Sequence, residues 1–226
     1  MQHIRRHIRQ RVKLLFRPDW LLNALLSVLV TALLFGCASL SSPPPIIAPQ
    51  QWTAPVYHAA ITLSGRLSLR YQKEGREEGL QGGFLWAQDP QRVSIDLLSP
   101  LNQTMLNLQV EPGQARLTEA GKPTRVADDL DSLSTQTLGW ILPVAGLRGW
   151  LQGFSLINGE AFILSAPGQE KSAPVQTADG WQLRYPEWQQ DTPSGQWHPK
   201  RIELQRTTTA FGQMRIHIIL DQWQTP

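Results

Sequence analysis

The sequence predicts an α+β fold, in which a curved or barrel-like antiparallel β-sheet is interrupted once, near the middle of the chain, by short helices. From residue 61 onward, short runs alternate between apolar and polar side chains. Turns containing Gly or Pro separate these runs at roughly the 8–12-residue spacing of antiparallel sheets. Between residues 128 and 152 the apolar side chains recur at helical spacing instead. We therefore expect one wet sheet face and helices that cover one opening of the curved sheet.

The basic residues of the chain are concentrated before its single cysteine, Cys37. Residues 1–36 contain six basic side chains and one acidic side chain, whereas the whole chain has 21 and 18. The body from Cys37 onward, large enough for one domain, therefore carries 15 basic and 17 acidic side chains. A slightly acidic body lacks a broad phosphate-binding surface, so we predict no nucleic-acid partner. A single Cys also excludes an intrachain disulfide and a multi-cysteine metal site.

Residues 1–36 have the pattern of a bacterial secretion signal, in which a basic segment precedes an apolar run over residues 20–36. A run of this length is also at the lower limit for a helix that spans a bilayer. An uncleaved N-terminal anchor is therefore the alternative interpretation. The position of the cysteine directly after the run favours the secretion signal.

The sequence Leu34-Phe35-Gly36-Cys37 resembles the lipobox of bacterial lipoproteins, although Phe35 is bulkier than the residue usual there. The resemblance implies cleavage before Cys37 and acylation of its thiol. Ala38 and Ser39 follow, where an Asp would favour retention in the inner membrane, so the resemblance implies sorting to the outer membrane. Residues 37–50 then form the acylated N-terminus and a tether whose consecutive prolines favour an extended conformation.

The domain itself is expected to occupy residues 51–226. A short helix is predicted over residues 51–60, where Trp52, Val56 and Ala59 follow helical spacing. The first strand begins at Ile61, and a turn over residues 73–79 leads to a second strand that contains Phe84 and Trp86. The remaining predicted strands lie at residues 92–98, 105–110, 115–118, 161–165, 181–185, 201–206 and 214–220.

Two helices are predicted in the middle of the chain. The first covers residues 128–140, because Asp128 and Asp129 suit a helix N-terminus and Leu130 and Leu133 repeat on one face. The second follows Pro143 and covers residues 147–152.

Motifs for catalysis or metal binding are missing from the sequence. His58, His198 and His217 are the only histidines after the leader, and none is spaced from another as metal ligands on one helix or strand would be. The nucleophile elbow and the phosphate-binding glycine loops are also missing. We therefore predict no catalytic residue, no metal, no cofactor and no enzymatic activity.

Two apolar features need an explanation. Eight of the nine tryptophans lie after Cys37, and either they belong to a packed core or they line a cavity for an apolar ligand. Leu101 lies in a turn between two strands, next to Pro100 and Asn102. A leucine at such a position ordinarily folds back onto the core; if it protrudes, it gains free energy by inserting into a bilayer surface.

Several stretches of this domain together resemble the LolB family, the outer-membrane receptors for lipoproteins in Gram-negative bacteria. The most specific block runs from Leu138-Gly-Trp-Ile-Leu-Pro143 to Leu147-Arg-Gly-Trp-Leu-Gln-Gly153. Other matching stretches are Gly65-Arg-Leu-Ser-Leu-Arg70, Gly83-Phe-Leu-Trp86, Leu97-Leu-Ser-Pro-Leu101 and Ile219-Leu-Asp-Gln-Trp223. The resemblance extends from about residue 60 to the C-terminus and makes 51–226 a single LolB-like lipid-binding domain.

The resemblance implies an incomplete, strongly curved antiparallel β-barrel with a short-helix lid over an apolar cavity. It gives Leu101, with Pro100, the role of inserting into the membrane. Ten residues are expected to contact acyl chains in the cavity, on the basis of strand parity and family position. These candidates are Phe84, Trp86, Ile95, Leu97, Leu106, Leu108, Trp140, Leu147, Trp150 and Trp181.

The resemblance also implies the task and the partners. The protein would be anchored in the outer membrane by its N-terminal acyl chains, face the periplasm and act as a monomer. It would accept client lipoproteins from a LolA-like periplasmic carrier and insert them into the membrane. The alternative is a structural or scaffolding lipoprotein whose barrel has a filled core and which binds a periplasmic protein.

Overall fold

Ten antiparallel strands form the main sheet of the computed structural model, which describes residues 53–192 and 194–225. The first half of the chain provides β1 (Ile61–Lys73), β2 (Arg76–Gln88), β3 (Val93–Leu98), β4 (Thr104–Glu111), β5 (Gln114–Glu119) and β6 (Arg125–Ala127). Two helices follow, α1 (Leu130–Leu138) and α2 (Val144–Trp150). A separate hairpin consists of β7 (Phe154–Ile157) and β8 (Glu160–Ile163). The chain returns to the main sheet with β9 (Val175–Gln176), β10 (Gln182–Gln190), β11 (Trp197–Thr208) and β12 (Gly212–Gln224).

The strand order of the main sheet is β6-β5-β4-β3-β2-β1-β12-β11-β10-β9. Neighbours in the sheet are neighbours in sequence, except that β1 pairs with β12 and so joins the two halves of the chain. The short strands β6 and β9 are the two edges and do not pair with each other, so the sheet does not close. This topology confirms the predicted α+β class with an unclosed antiparallel sheet.

A glycine bulge bends the sheet where β1 and β12 meet. The register of the pair shifts between Ser64 and Gly65. A Cβ atom at Gly65 would collide with the backbone carbonyl oxygen of Ile219, so only glycine permits this approach. A bulge increases the local twist and bend of a strand. It therefore contributes to the curl that brings strands β1 to β5 and β12 around one cavity.

The hairpin between β1 and β2 is longer than the sequence predicted. The expected turn over residues 73–79 is wrong, because Lys73 pairs with Arg76 and only Glu74 and Gly75 form the turn. Both have positive φ angles, 51° and 75°, which is the combination that a two-residue type I′ turn requires. The segment rich in charged residues is thus mostly strand.

Helix α1 begins where the acidic residues predicted. Asp129 is its N-cap, and the side chain of Asp129 accepts a hydrogen bond from the backbone N–H of Ser132. The helix ends at Gly139, whose φ of 80° is left-handed. Helix α2 begins at Val144, directly after Pro143 and three residues before the predicted start.

The helix predicted for residues 51–60 is wrong for the part that the structure describes. Residues 53–60 contain no helix. Pro55 disfavours helical conformation of the residue before it. Two buried glutamines also bind the backbone that follows: Gln152 accepts a hydrogen bond from N–H of His58 at 2.8 Å and donates one to its carbonyl at 2.9 Å. Gln88 donates to the carbonyls of His58 and Ala59 at 3.3 and 3.4 Å.

The tightly packed core lies on the β9–β12 side of the sheet. Trp181, Leu183, Ile202 and Leu204 are at most 2% exposed there. No helix within residues 53–192 and 194–225 is both long enough and apolar enough to cross a membrane.

Candidate functional site

An apolar cavity of about 290 Å³ lies between the sheet and the two helices. Strands β1 to β5 and β12 supply one wall, and α1, α2 and the segment between them supply the other. Strands β9 to β11 supply none of the wall. The wall is continuous with the packed core, because Trp86, Leu108 and Leu133 line the cavity and belong to the same buried cluster as Trp181.

Eight of the ten predicted acyl-contacting residues line this cavity. The strand residues alternate with outward-facing side chains, as expected from the period of two in a strand. Trp140 and Leu147 reach the cavity from the helical segment. The eight residues are Phe84, Trp86, Ile95, Leu97, Leu106, Leu108, Trp140 and Leu147.

Trp150 and Trp181 do not line the cavity, contrary to the sequence-based choice. Trp181 is completely buried at the start of β10, and the guanidinium carbon of Arg206 lies 5.9 Å from the centre of its ring. Trp150 is 5% exposed, and its ring covers Gly146 of the same helix. Its carbonyl accepts a hydrogen bond of 3.0 Å from the hydroxyl of Tyr185. Both tryptophans belong to the buried hydrophobic core.

Other residues also line the cavity, and the alternation along the strands and the helical spacing of α1 already indicate most of them. Leu67, Leu69 and Tyr71 share the inward face of β1, and Ile216 and Ile218 share that of β12. The remaining lining residues that had not been chosen are Lys73, Leu80, Leu117, Leu130, Leu133, Ser134, Thr137, Leu138, Leu142, Pro143, Val144 and Leu151. Strand parity and the helical repeat of α1 would have identified most of them.

The polar groups on the helical wall bond to the protein itself. The hydroxyl of Thr137 donates to the carbonyl of Leu133 at 2.7 Å. The hydroxyl of Ser134 donates to the carbonyl of Asp131 and accepts from the N–H of Leu142. Because these hydroxyls are satisfied within the helical segment, the wall presents mainly carbon atoms to the cavity.

The C-terminal end of α1 rests on an aromatic pair. A Cβ atom at Gly139 would lie 3.1 Å from the ring of Phe211, which is in the turn between β11 and β12. The ring of Phe211 packs edge-on against Tyr71, with centroids 5.8 Å apart. Helix α1 also contacts β5 and β6, so it extends from the β6 edge of the sheet to the β11–β12 turn.

The loop between β3 and β4 presents Leu101 to solvent. Leu101 is 82% exposed, so the ordinary expectation that it folds back onto the core is wrong. The hydroxyl of Ser99 accepts hydrogen bonds from the N–H groups of Leu101 and Gln103, each at 3.2 Å. The N–H of Asn102 donates to the carbonyl of Ser99, and Asn102 adopts a left-handed φ of 58°. Local hydrogen bonds therefore order the loop and hold Leu101 at its tip.

The three histidines of the domain do not line the cavity. His198 is buried and stacks on Trp223, with ring centroids 4.7 Å apart. His217 is exposed on the outer face of β12, and His58 contacts the side chain of Gln196 at 3.2 Å. Within the described part of the chain, no three His, Cys, Asp or Glu side chains are grouped so that they could hold a metal ion. Cys37 lies outside the described residues.

Comparisons with known proteins identify relatives of this chain by sequence. The sequence profile of the family described as "Outer membrane lipoprotein LolB" matches residues 59–223. A protein named "Outer-membrane lipoprotein LolB" from Cupriavidus pinatubonensis is 37% identical over 90% of this chain and 95% of its own length. Its namesake from Cupriavidus taiwanensis is 34% identical over 90% and 97%. Among solved structures, a LolA superfamily protein from Nitrosomonas europaea matches with 10% identity and a TM-score of 0.40, over 73% of this chain and 86% of that one.

Proposed function

Because this chain belongs to the LolB family of outer-membrane lipoproteins, we propose that it receives the acyl chains of other lipoproteins in its apolar cavity and inserts them into the outer membrane. The family is non-enzymatic and serves lipoprotein localisation, and its members are lipid-anchored in the outer membrane. The observation that carries the proposal is the cavity itself, whose wall is almost entirely apolar.

The size of the cavity sets the strength of binding in the conformation observed. A water molecule takes up roughly 30 Å³ of liquid, so about 290 Å³ holds at least about ten groups of that size. Burying ten methylenes at about 0.8 kcal/mol each stabilises a bound chain by roughly 8 kcal/mol. Helices α1 and α2 act as the lid over this cavity.

Leu101 and Pro100 form the membrane-insertion loop in this proposal. An exposed leucine gains about 1.5–3 kcal/mol when it is transferred from water into an apolar environment. This gain is small beside that of an acyl anchor, so the loop gives a weak, reversible contact with the bilayer. Such a contact brings the cavity to the membrane surface at the moment of release.

The anchor is the N-terminus in the same proposal. Residues 1–36 are removed as a lipoprotein signal peptide, Cys37 is acylated, and residues 37–50 tether the domain 51–226 on the periplasmic side of the membrane. Acyl chains on Cys37 at about 0.8 kcal/mol per buried methylene hold the protein in the bilayer. The protein works as a monomer.

The partners are a LolA-like periplasmic carrier and the client lipoproteins that it delivers. A lipoprotein free in the periplasm would expose its acyl chains to water at about 0.8 kcal/mol per methylene. Direct transfer from one shielded cavity to another avoids that exposure. No nucleotide is needed if each successive site binds the chains more favourably.

The scaffolding alternative requires a filled core. An apolar cavity of about 290 Å³ is at odds with that requirement, because the side chains of a filled core are close-packed and leave few voids larger than a water molecule. The acceptor function accounts for the cavity and the alternative does not.

The proposal is tested by following a labelled lipoprotein from its carrier to the outer membrane. Depletion of the protein should leave lipoproteins in the periplasm, bound to the carrier. Normal delivery to the outer membrane after depletion would refute the proposal.

The Leu101→Glu variant separates the two halves of the function. It should still accept the client from the carrier, because Leu101 does not line the cavity, but insertion into liposomes should fall severalfold or more, since a carboxylate at the loop tip opposes insertion. Leu85→Glu is the matched control, because Leu85 is 43% exposed on the outer face of β2. Equal insertion by the Leu101→Glu and Leu85→Glu variants would show that Leu101 has no membrane role.

A further inference from the structure

The mouth of the cavity carries a cation. Lys73 is the only charged side chain among the residues that line the cavity, and all others are apolar or uncharged. It is exposed at the end of β1, so its ammonium group has access to water while its aliphatic stem contacts the apolar wall. A cavity that binds only neutral acyl chains needs no ammonium group at its mouth.

A second cation lies directly opposite the first. Lys73 pairs with Arg76 across the β1–β2 hairpin, and directly opposed residues of antiparallel strands project from the same face. Like charges in this arrangement repel each other. An anion between the two side chains relieves this repulsion.

Three carboxylates lie near the pair, Glu74 in the turn itself and Glu77 and Glu78 on β2. Glu77 forms an ion pair of 2.8 Å with Arg70, and Glu78 accepts a hydrogen bond of 3.0 Å from the hydroxyl of Tyr71. The ion pairs found within residues 53–192 and 194–225 include neither Lys73 nor Arg76. Both cations are thus available to a ligand.

The cavity has room for the chain of such a ligand. About 290 Å³ accommodates at least about ten methylene-sized groups, which is enough for one chain of medium length. A single-chain ligand fits the conformation observed without movement of α1.

We propose that the cavity binds a single-chain anionic amphiphile, with the chain between the sheet and α1 and the carboxylate or phosphate head between Lys73 and Arg76. Both heads accept charge-assisted hydrogen bonds from these side chains. The inference uses the cavity of the proposed function but does not require that lipoproteins pass through it. A bound amphiphile would compete with client acyl chains and so couple client acceptance to the local supply of free lipid.

The test uses the full-length protein in phosphatidylcholine nanodiscs and a photo-crosslinkable laurate. Labelling of the peptides that contain cavity residues is measured while laurate, lauryl lysophosphatidic acid or lauryl alcohol competes. Laurate and lysophosphatidic acid should each compete at roughly tenfold lower concentration than the alcohol, in keeping with the strength of charge-assisted hydrogen bonds. The two acidic competitors distinguish a carboxylate preference from a phosphate preference.

The double variant Lys73→Gln/Arg76→Gln should bind all three competitors equally, and high salt should reduce the preference of the wild type. Arg215→Gln is the matched control, because Arg215 is an exposed cation on the outer face of β12 and does not line the cavity. It should retain the wild-type preference.

Equal competition by acid and alcohol in the wild type would overturn the inference, and so would a preference that survives in the double variant. If the double variant instead loses only its binding to phosphatidylglycerol vesicles, the cations serve the membrane surface and the inference is likewise wrong. Transfer of a lipoprotein from its carrier is measured in parallel. Normal transfer without any preference for the acid refutes this inference alone, whereas failure of both transfer and cavity labelling refutes the proposed function as well.

Discussion

His198 is the buried residue whose protonation links the stability of the domain to pH. It is 6% exposed, and its ring stacks on Trp223. Burial lowers the pKa of His198 below its usual value near 6.5; the Pro199 carbonyl and Asp191 partly oppose the shift, while Lys200 adds to it. Between the pKa of His198 in the unfolded chain and its lower pKa in the folded protein, the folded protein therefore binds fewer protons than the unfolded chain.

The sign of the resulting pH dependence follows directly. Because the folded pKa of His198 is depressed, unfolding takes up a proton between the folded and unfolded pKa values, and stability falls as the pH drops through that window. A single proton changes the free energy of unfolding by at most about 1.4 kcal/mol per pH unit. We expect His198→Phe, which keeps an aromatic ring on Trp223, to flatten the dependence in urea unfolding between neutral and mildly acidic pH.

His217→Gln is the control for this prediction, because His217 is exposed on β12. It should leave the loss of stability below pH 6.5 unchanged. A His198→Phe variant with the same pH profile as the wild type would show that another group is responsible.

At the level of single elements, the segment before β1 depends on side chains distant in sequence. The amide of Gln152, which is 1% exposed, bonds both the N–H and the carbonyl of His58. Gln152→Ala leaves the N–H of His58 without a partner, whereas the carbonyl keeps its hydrogen bond of 3.3 Å from Gln88, and one unsatisfied group costs roughly 1–3 kcal/mol. We expect a loss of about 1–3 kcal/mol in the free energy of unfolding and faster hydrogen exchange at His58.

Gln109→Ala is the control for Gln152→Ala. Gln109 is on the exposed face of β4, where water replaces the hydrogen bonds that the side chain loses. Its effect should stay within about 0.5 kcal/mol. If both variants lose the same stability, Gln152 does not hold the segment as the geometry indicates.

This segment also shows what the sequence could and could not predict at the scale of elements. The long strands and both central helices followed from local periodicity and from the N-cap Asp129. The spacing of Val56 and Ala59 fitted a helix, and besides the local effect of Pro55, hydrogen bonds to residues about 30 and 94 positions away hold the segment in its non-helical conformation. Local patterns contain no information about such partners, nor about the short strands β6 and β9, which exist because a neighbouring strand provides their hydrogen bonds.

The whole molecule combines a packed core and an empty cavity within one sheet, and the sequence distinguished them only in part. Strand parity places Phe84, Ile95 and Leu106 on the inner face, and all three line the cavity. Parity also places Trp181 on the inner face, but it does not tell whether the opposite wall touches that face or is separated from it by a cavity. The difference depends on where α1 and α2 cross the concave face, which is a property of the complete fold. Trp150 lies in α2, where strand parity does not apply and only the family resemblance indicates a cavity position.

Filling the cavity tests whether the void itself is functional. Leu97 and Leu106 face each other across β3 and β4 and both line the cavity. Leu97→Trp adds a large ring to a space that is already empty, so the usual overpacking cost of about 1–3 kcal/mol should be avoided or reduced. We expect the variant to fold with nearly wild-type stability and to lose acceptance of lipoprotein from the carrier.

Far-UV circular dichroism with urea unfolding checks the fold, and transfer of a labelled client checks the function. Leu85→Trp on the outer face of the sheet makes the same change outside the cavity and should keep full acceptance. Wild-type acceptance by a stable Leu97→Trp variant would show that the acyl chains bind elsewhere.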